Sequence, residues 1–284
     1  MTPSAVRVLV RALALTLVTT LALHPALAMA LSSDWVQQPH IQVRLLSSAS
    51  SAAPGSDLTL GLELKPDPGW HVYWRNPGDS GMPPAINWQP VAGANFGEIL
   101  WPVPEKIPYG PLVNYGYDHV ILPVVVSLAQ PPSTADKGSD SVTFTANASW
   151  LVCEEFCIPG KASLQLKQPL GKPQAAKEAN TINDFVARTP TTIEVIGGQA
   201  NTAEQLATLE LFFASPIFQN AKQLTFFPIN EQFLDAASEP ELFWKNNFLR
   251  ITQSLSSDFY TMPEILEGVV VVDHQQAWQF RLKM

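Results

Sequence analysis

The 284 residues carry 17 Lys and Arg against 25 Asp and Glu, a formal charge of −8 that argues against nucleic acid or an anionic membrane surface as partner. Proline fills 25 positions, well above the ~5% average share, which favours short strands and many turns over a helical chain.

In chain order, the first 30 residues read as a cleaved export signal. Arg7 and Arg11 precede the apolar stretch Ala12–Leu23, and Ala26-Leu27-Ala28 or Ala28-Met29-Ala30 supplies a small-x-small cleavage site. A retained anchor needs ~20 apolar residues, and Thr16, Thr19 and Thr20 interrupt this run. Loss of the leader removes two arginines and no acid, moving the charge from −8 to −10. The mature chain is then exported, into a compartment that permits disulfides, with no membrane insertion after cleavage. About 255 residues remain, enough for two domains of ordinary size.

Strand signals start at Ile41–Leu45 and continue through Leu58–Leu64, where apolar and polar residues alternate. Trp70–Trp74 follows, then a Gly/Pro-rich loop over Asn76–Pro84. Further strands are expected at Ala85–Trp88, Gly97–Trp101, Val120–Leu128 and Ser141–Ala148, with a long loop over Pro102–Gly116. This spacing predicts a β-sandwich over 31–170. Residues 171–190 predict one short helix or two as a connector, bounded by Pro173 and Pro190. A second β-sandwich over 191–284, a scaffold or docking unit, is expected from Thr192–Ile196, Leu206–Phe213, Gln223–Pro228, Phe248–Leu255, Gly268–Val272 and Trp278–Leu282. The fold class is therefore all-β: two sandwich domains joined by a short helical connector.

The chemistry concentrates at Trp150–Lys161, which holds the only two cysteines, Cys153 and Cys157. A structural staple is one reading, but closing so short a loop stabilises by only ~2 kcal/mol. Copper of the binuclear oxidase type would require Cys-x3-Cys-x3-His-x2-Met, and Lys161 and Leu164 stand where the histidine and methionine belong. Zinc needs two further ligands, and His40, His71, His119 and His274 have no ligand-pair spacing. No metal and no cofactor are expected. A redox pair is the favoured reading, with the structural staple left open beside it. Glu154 and Glu155 disfavour thiolate, with only Lys161 opposing them, so this dithiol should react when a partner supplies the environment. That is how a relay behaves.

Three stretches, Pro68–Arg75, Trp101 through Tyr109-Gly110 to Val124, and Cys153–Pro159, resemble the N-terminal periplasmic domain of the thiol:disulfide interchange protein DsbD and its ScsB-type relatives. The resemblance covers Ile41–Leu170, with weaker likeness to the second β-domain of the ScsB group at Phe226–Pro228 and Gly268–Val271. It implies immunoglobulin-like sandwiches in the periplasm, with the cysteines on a hairpin beneath a cap loop. It also implies thiol–disulfide exchange, carrying electrons from a membrane-linked thioredoxin-like donor, with a membrane carrier of the DsbD/CcdA type, to periplasmic thioredoxin-fold proteins or disulfide isomerases. Cys153 and Cys157 would be catalytic, with Cys157 forming the mixed disulfides. The cap falls on Glu105–Gly110. Pro108 takes the place of the family's usual phenylalanine, leaving Ile107 or Tyr109 to shield. Tyr73, His71 and Asp118 are further candidates for lining the site. DsbD has five residues between its cysteines and this chain has three. The alternative is a non-redox binding module with a structural disulfide: six of the eight tryptophans precede the connector and could form an aromatic face for a sugar or protein ligand.

Overall fold

The computed structural model describes residues 30–129 and 140–284. The export signal, Ala30 excepted, lies outside the described residues. What is described is almost entirely β, with a single α-helix, Ala179–Ala187. No helix among the described residues is long and apolar enough to cross a membrane.

Alternation of apolar and polar side chains builds the largest sheet. Its order is Val36–Gln38, Ile41–Ser47, Asp57–Pro66, Val120–Leu128 and Ala94–Ile99, with every neighbour antiparallel. A second sheet pairs Cys157–Pro169 with Ser141–Cys153, and the latter with Ala85–Trp88. Leu60 and Leu62 of the first sheet and Phe144 and Trp150 of the second share one buried cluster. Gly160 is required there, because a Cβ would run into the indole of Trp150 across the ladder.

The stretch Pro102–Gly116, expected to be loop, is a hairpin. Glu105–Tyr109 pairs with Leu112–Tyr117, which pairs in turn with Val72–Gly78. Pro108 is tolerated because Glu105–Tyr109 is the outer strand of that sheet, where a missing N–H breaks no inner ladder. The expected strand Gly97–Trp101 lies earlier, at Ala94–Ile99.

The helix Ala179–Ala187 accounts for only part of the expected helical connector, since Gln174–Ala175 pairs with Ala49–Ser51 as strand. Its apolar positions Ile182 and Phe185 are buried in the first cluster. Residues from 191 onward form two four-stranded sheets, Thr191–Thr192, Gln276–Lys283, Ile265–Val272, Leu224–Pro228 and Val195–Ala203, Leu206–Phe213, Phe248–Ser254, Glu241–Lys245. These enclose a second apolar cluster around Phe213, Leu249, Ile251 and Phe280. The separation is incomplete: Phe227, Ala236, Val269 and Val271 belong to the first cluster.

Candidate functional site

Ser141–Cys153 and Cys157–Pro169 pair without a register break from Ser141↔Pro169 to Cys153↔Cys157. The two cysteines are therefore the last facing pair of a thirteen-residue ladder, with Glu154-Glu155-Phe156 as the tip. They are joined as a disulfide, with Cα atoms 4.2 Å apart. The two sulfurs sit in different surroundings: Cys153 is fully buried, whereas Cys157 is exposed.

Cys153 is held from the opposite side by His71. The two exchange backbone hydrogen bonds, His71 N to Cys153 O at 2.9 Å and Cys153 N to His71 O at 3.0 Å. Two residues on, where a strand returns its side chains to the same face, the Tyr73 hydroxyl donates to Cys153 Sγ at 2.9 Å and lies 3.8 Å from Cys157 Sγ. Burial, with Tyr109 nearby, pushes the Tyr73 phenol up to about 12, so it stays a neutral donor at physiological pH. Burial holds the His71 imidazole below its ordinary value, and its ring stacks edge-on to Tyr73 at 5.1 Å. Gly81, at φ +109°, closes over the ring of Tyr73, where any Cβ would overlap the aromatic carbons.

The hairpin tip is covered from the side. The Tyr109 hydroxyl donates to the carbonyl of Glu155 at 2.8 Å. Ile107 is half-buried with its Cδ1 against Gly116, on the hairpin's own sheet. Pro108 is exposed. Of the three cap candidates, Tyr109 is the one hydrogen-bonded to the cysteine segment. Asp118 is exposed in the turn after Tyr117.

Sequence reasoning missed Phe156 and Trp70. Phe156 is 56% exposed beside Cys157 and meets Trp70 edge-on at 5.2 Å, while Trp70 stacks on His40 at 3.9 Å. The signal for this was an aromatic between two acids and a cysteine, which no core position explains. Of the remaining tryptophans of the first half, Trp74 and Trp150 are fully buried, Trp88 stacks on Phe96 at 4.6 Å, Trp101 is half-buried, and Trp35 is exposed beneath the Arg44 guanidinium.

The described chain is thus nearly all β, with a disulfide at a hairpin tip that joins a buried cysteine to an exposed one. Residues 42–169 match the family model described as thiol:disulfide interchange protein DsbD, N-terminal, and that segment belongs to this family. Over 90% of this chain and 98% of the other, the fold is similar to the crystal structure of the N-terminal periplasmic domain of ScsB from Proteus mirabilis, at TM-score 0.65 and 22% identity. That likeness extends well beyond the matched segment. The human Desmocollin-1 ectodomain aligns with 90% of this chain and 51% of its own at 9% identity and TM-score 0.18, too low to carry any argument. No curated protein matches the chain.

Proposed function

We propose that this chain is a periplasmic thiol–disulfide relay, taking electrons from a membrane-linked thioredoxin-like donor and passing them to thioredoxin-fold or disulfide isomerase partners. The observation that carries the reading is a disulfide joining an exposed residue, Cys157, to the fully buried Cys153, whose sulfur accepts from a hydroxyl donor. In the reductive half-reaction a donor thiolate attacks Cys157 Sγ. A mixed disulfide forms, the Cys153–Cys157 bond breaks, and Cys153 leaves as a thiolate stabilised by the Tyr73 hydroxyl. A second donor thiolate then attacks the donor's own sulfur in the mixed disulfide and releases the Cys157 thiolate. The donor is oxidised to its disulfide, and this chain gains two electrons and takes up two protons on becoming a dithiol. In the outward half-reaction Cys157 attacks an acceptor disulfide and Cys153 resolves the complex.

The acidic tip supports partner dependence. Glu154 and Glu155 are exposed beside the pair and repel anionic small thiols, while exposed Phe156 offers an apolar contact to a protein. The test uses a thioredoxin-fold protein with its resolving cysteine replaced and its remaining cysteine activated as an aromatic disulfide. Cys153→Ser should give a stable covalent complex on a non-reducing gel, and Cys157→Ser should give little. Equal trapping, or trapping only through Cys153, overturns the assignment. A disulfide that no thioredoxin-fold donor opens, yet whose loss lowers the melting temperature, leaves a structural staple instead.

A further inference from the structure

We infer that the C-terminal half braces the cap hairpin, so that residues far along the chain from the cysteines set how readily a thiol reaches the disulfide. The purpose of such a brace rests on the relay reading; the contacts do not. Three of them converge on the hairpin. The first is apolar: Phe227, 4% exposed, sets its ring edge-on to Tyr115 of the hairpin at 5.4 Å and to Trp74 at 6.2 Å. The second is polar and three-way. Asp79, in the loop that also carries Gly81 over Tyr73, accepts from Val113 N of the hairpin at 2.8 Å with one oxygen. Its other oxygen accepts from Ala236 N at 3.1 Å. The third is an ion pair, Lys106 Nζ to Glu239 at 2.9 Å, on the outer hairpin strand. Asn76 strengthens the same junction, its amide donating to Pro228 O at 2.8 Å.

These contacts bear on the site because the hairpin they hold ends in Tyr109, whose hydroxyl is bonded to the cysteine-bearing tip. The inner strand Leu112–Tyr117 is already paired to Val72–Gly78, so the part free to swing when the Tyr109 hydrogen bond breaks is the outer strand and turn of the hairpin. Lys106 ties that outer strand directly, and the contacts at Asp79 and Tyr115 fix the inner strand it pairs with, so it returns. Opening of the cap is then a local equilibrium whose position the second half biases.

The test reads the rate at which excess dithiothreitol opens Cys153–Cys157 in the full chain; the protein disulfide gains two electrons and dithiothreitol closes to its cyclic disulfide. Asp79→Asn keeps one acceptor oxygen but faces an NH2 group to the other backbone N–H, so reduction should run roughly tenfold faster. Glu239→Lys should accelerate it a few-fold, and the exchange Lys106→Glu/Glu239→Lys should restore the native rate, which general destabilisation would not do. Phe227→Leu should accelerate it as well. Ile251→Val, in the second cluster away from the hairpin, serves as the control and should leave the rate unchanged. Native rates in Asp79→Asn and Glu239→Lys overturn the inference, as does equal acceleration by Ile251→Val. If the native chain resists every thioredoxin-fold donor while these variants still open faster to dithiothreitol, the relay reading fails and the brace stands.

Discussion

At the scale of single residues, the division of labour between the two sulfurs follows from burial and one hydroxyl. A thiolate left at Cys153 is out of water, where unpaired charge is costly, and Tyr73 Oη at 2.9 Å is its described donor. Hydrogen bonds to charged groups contribute about 1.5–3 kcal/mol. Tyr73→Phe should therefore slow reduction about tenfold or more while leaving the fold intact, because the ring under Gly81 is kept. It should also raise the pH at which the reduced Cys153 alkylates. Stopped-flow reduction and an alkylation pH profile are the measurements; unchanged values in both would remove Tyr73 from the chemistry. The isolated cysteine pair is a local property that the sequence displays, whereas Tyr73 is there only one of three lining candidates with His71 and Asp118, because its contact with Cys153 joins residues 80 positions apart. The Tyr109 bond to Glu155 was not legible, because it joins residues 46 positions apart through a backbone carbonyl, and carbonyls leave no trace in residue identity.

At the scale of elements, two kinds of strand declared themselves at the expected bounds: Leu206–Phe213 by its alternation, and Val120–Leu128 by a nearly continuous apolar run that is buried on both faces. The cap hairpin did not, because Pro102, Pro104, Pro108, Gly110 and Pro111 together read as turn signals, whereas Gly110 and Pro111 are the turn and only Pro108 lies within a strand, the outer one, where its missing N–H is tolerated. Pairing also brings together charges that the sequence keeps apart. Arg44 and Glu63 face each other across neighbouring strands, with Arg44 Nε 2.6 Å from Oε2 and His119 Nε2 3.0 Å from Oε1. Burial alone would push the Glu63 carboxyl up; the hydrogen bonds and charges of His119 and Arg44 outweigh it and hold the group below its ordinary value. A depressed carboxylate stabilises the folded state fully above its unfolded value near 4.5, and that contribution is lost as pH falls through the lower folded value. Chemical denaturation between pH 7 and pH 3 should show this acid limb flattened in Glu63→Gln, with a loss of ~1–2 kcal/mol at pH 7. An acid limb of native slope would place the titration elsewhere.

For the molecule as a whole, two apolar clusters that meet at Phe227 suggest partial independence. The fragment 191–284 retains Phe213, Phe218, Leu249, Ile251 and Phe280 in a cluster of its own, and should melt cooperatively without redox activity. It should do so at lower temperature than within the full chain, since exposing Phe227 alone forfeits about 2 kcal/mol. A fragment with no cooperative transition would mean that neither half folds without the other. The long ladder beneath the cysteines has a last consequence, in thermodynamic terms. Cys153 and Cys157 are already adjacent because twelve earlier residue pairs hold their strands together, so opening the disulfide returns almost no freedom to the native chain. In the unfolded chain so short a ring costs only ~2 kcal/mol of freedom, less than half of what a long loop would. Oxidised and reduced forms should therefore differ in folding stability by about that amount and no more, and the box linking folding to reduction closes on that small difference. The electron affinity of the pair is then set by the surroundings of two sulfur atoms, and can be retuned over generations of sequence change without redesigning the scaffold that carries it.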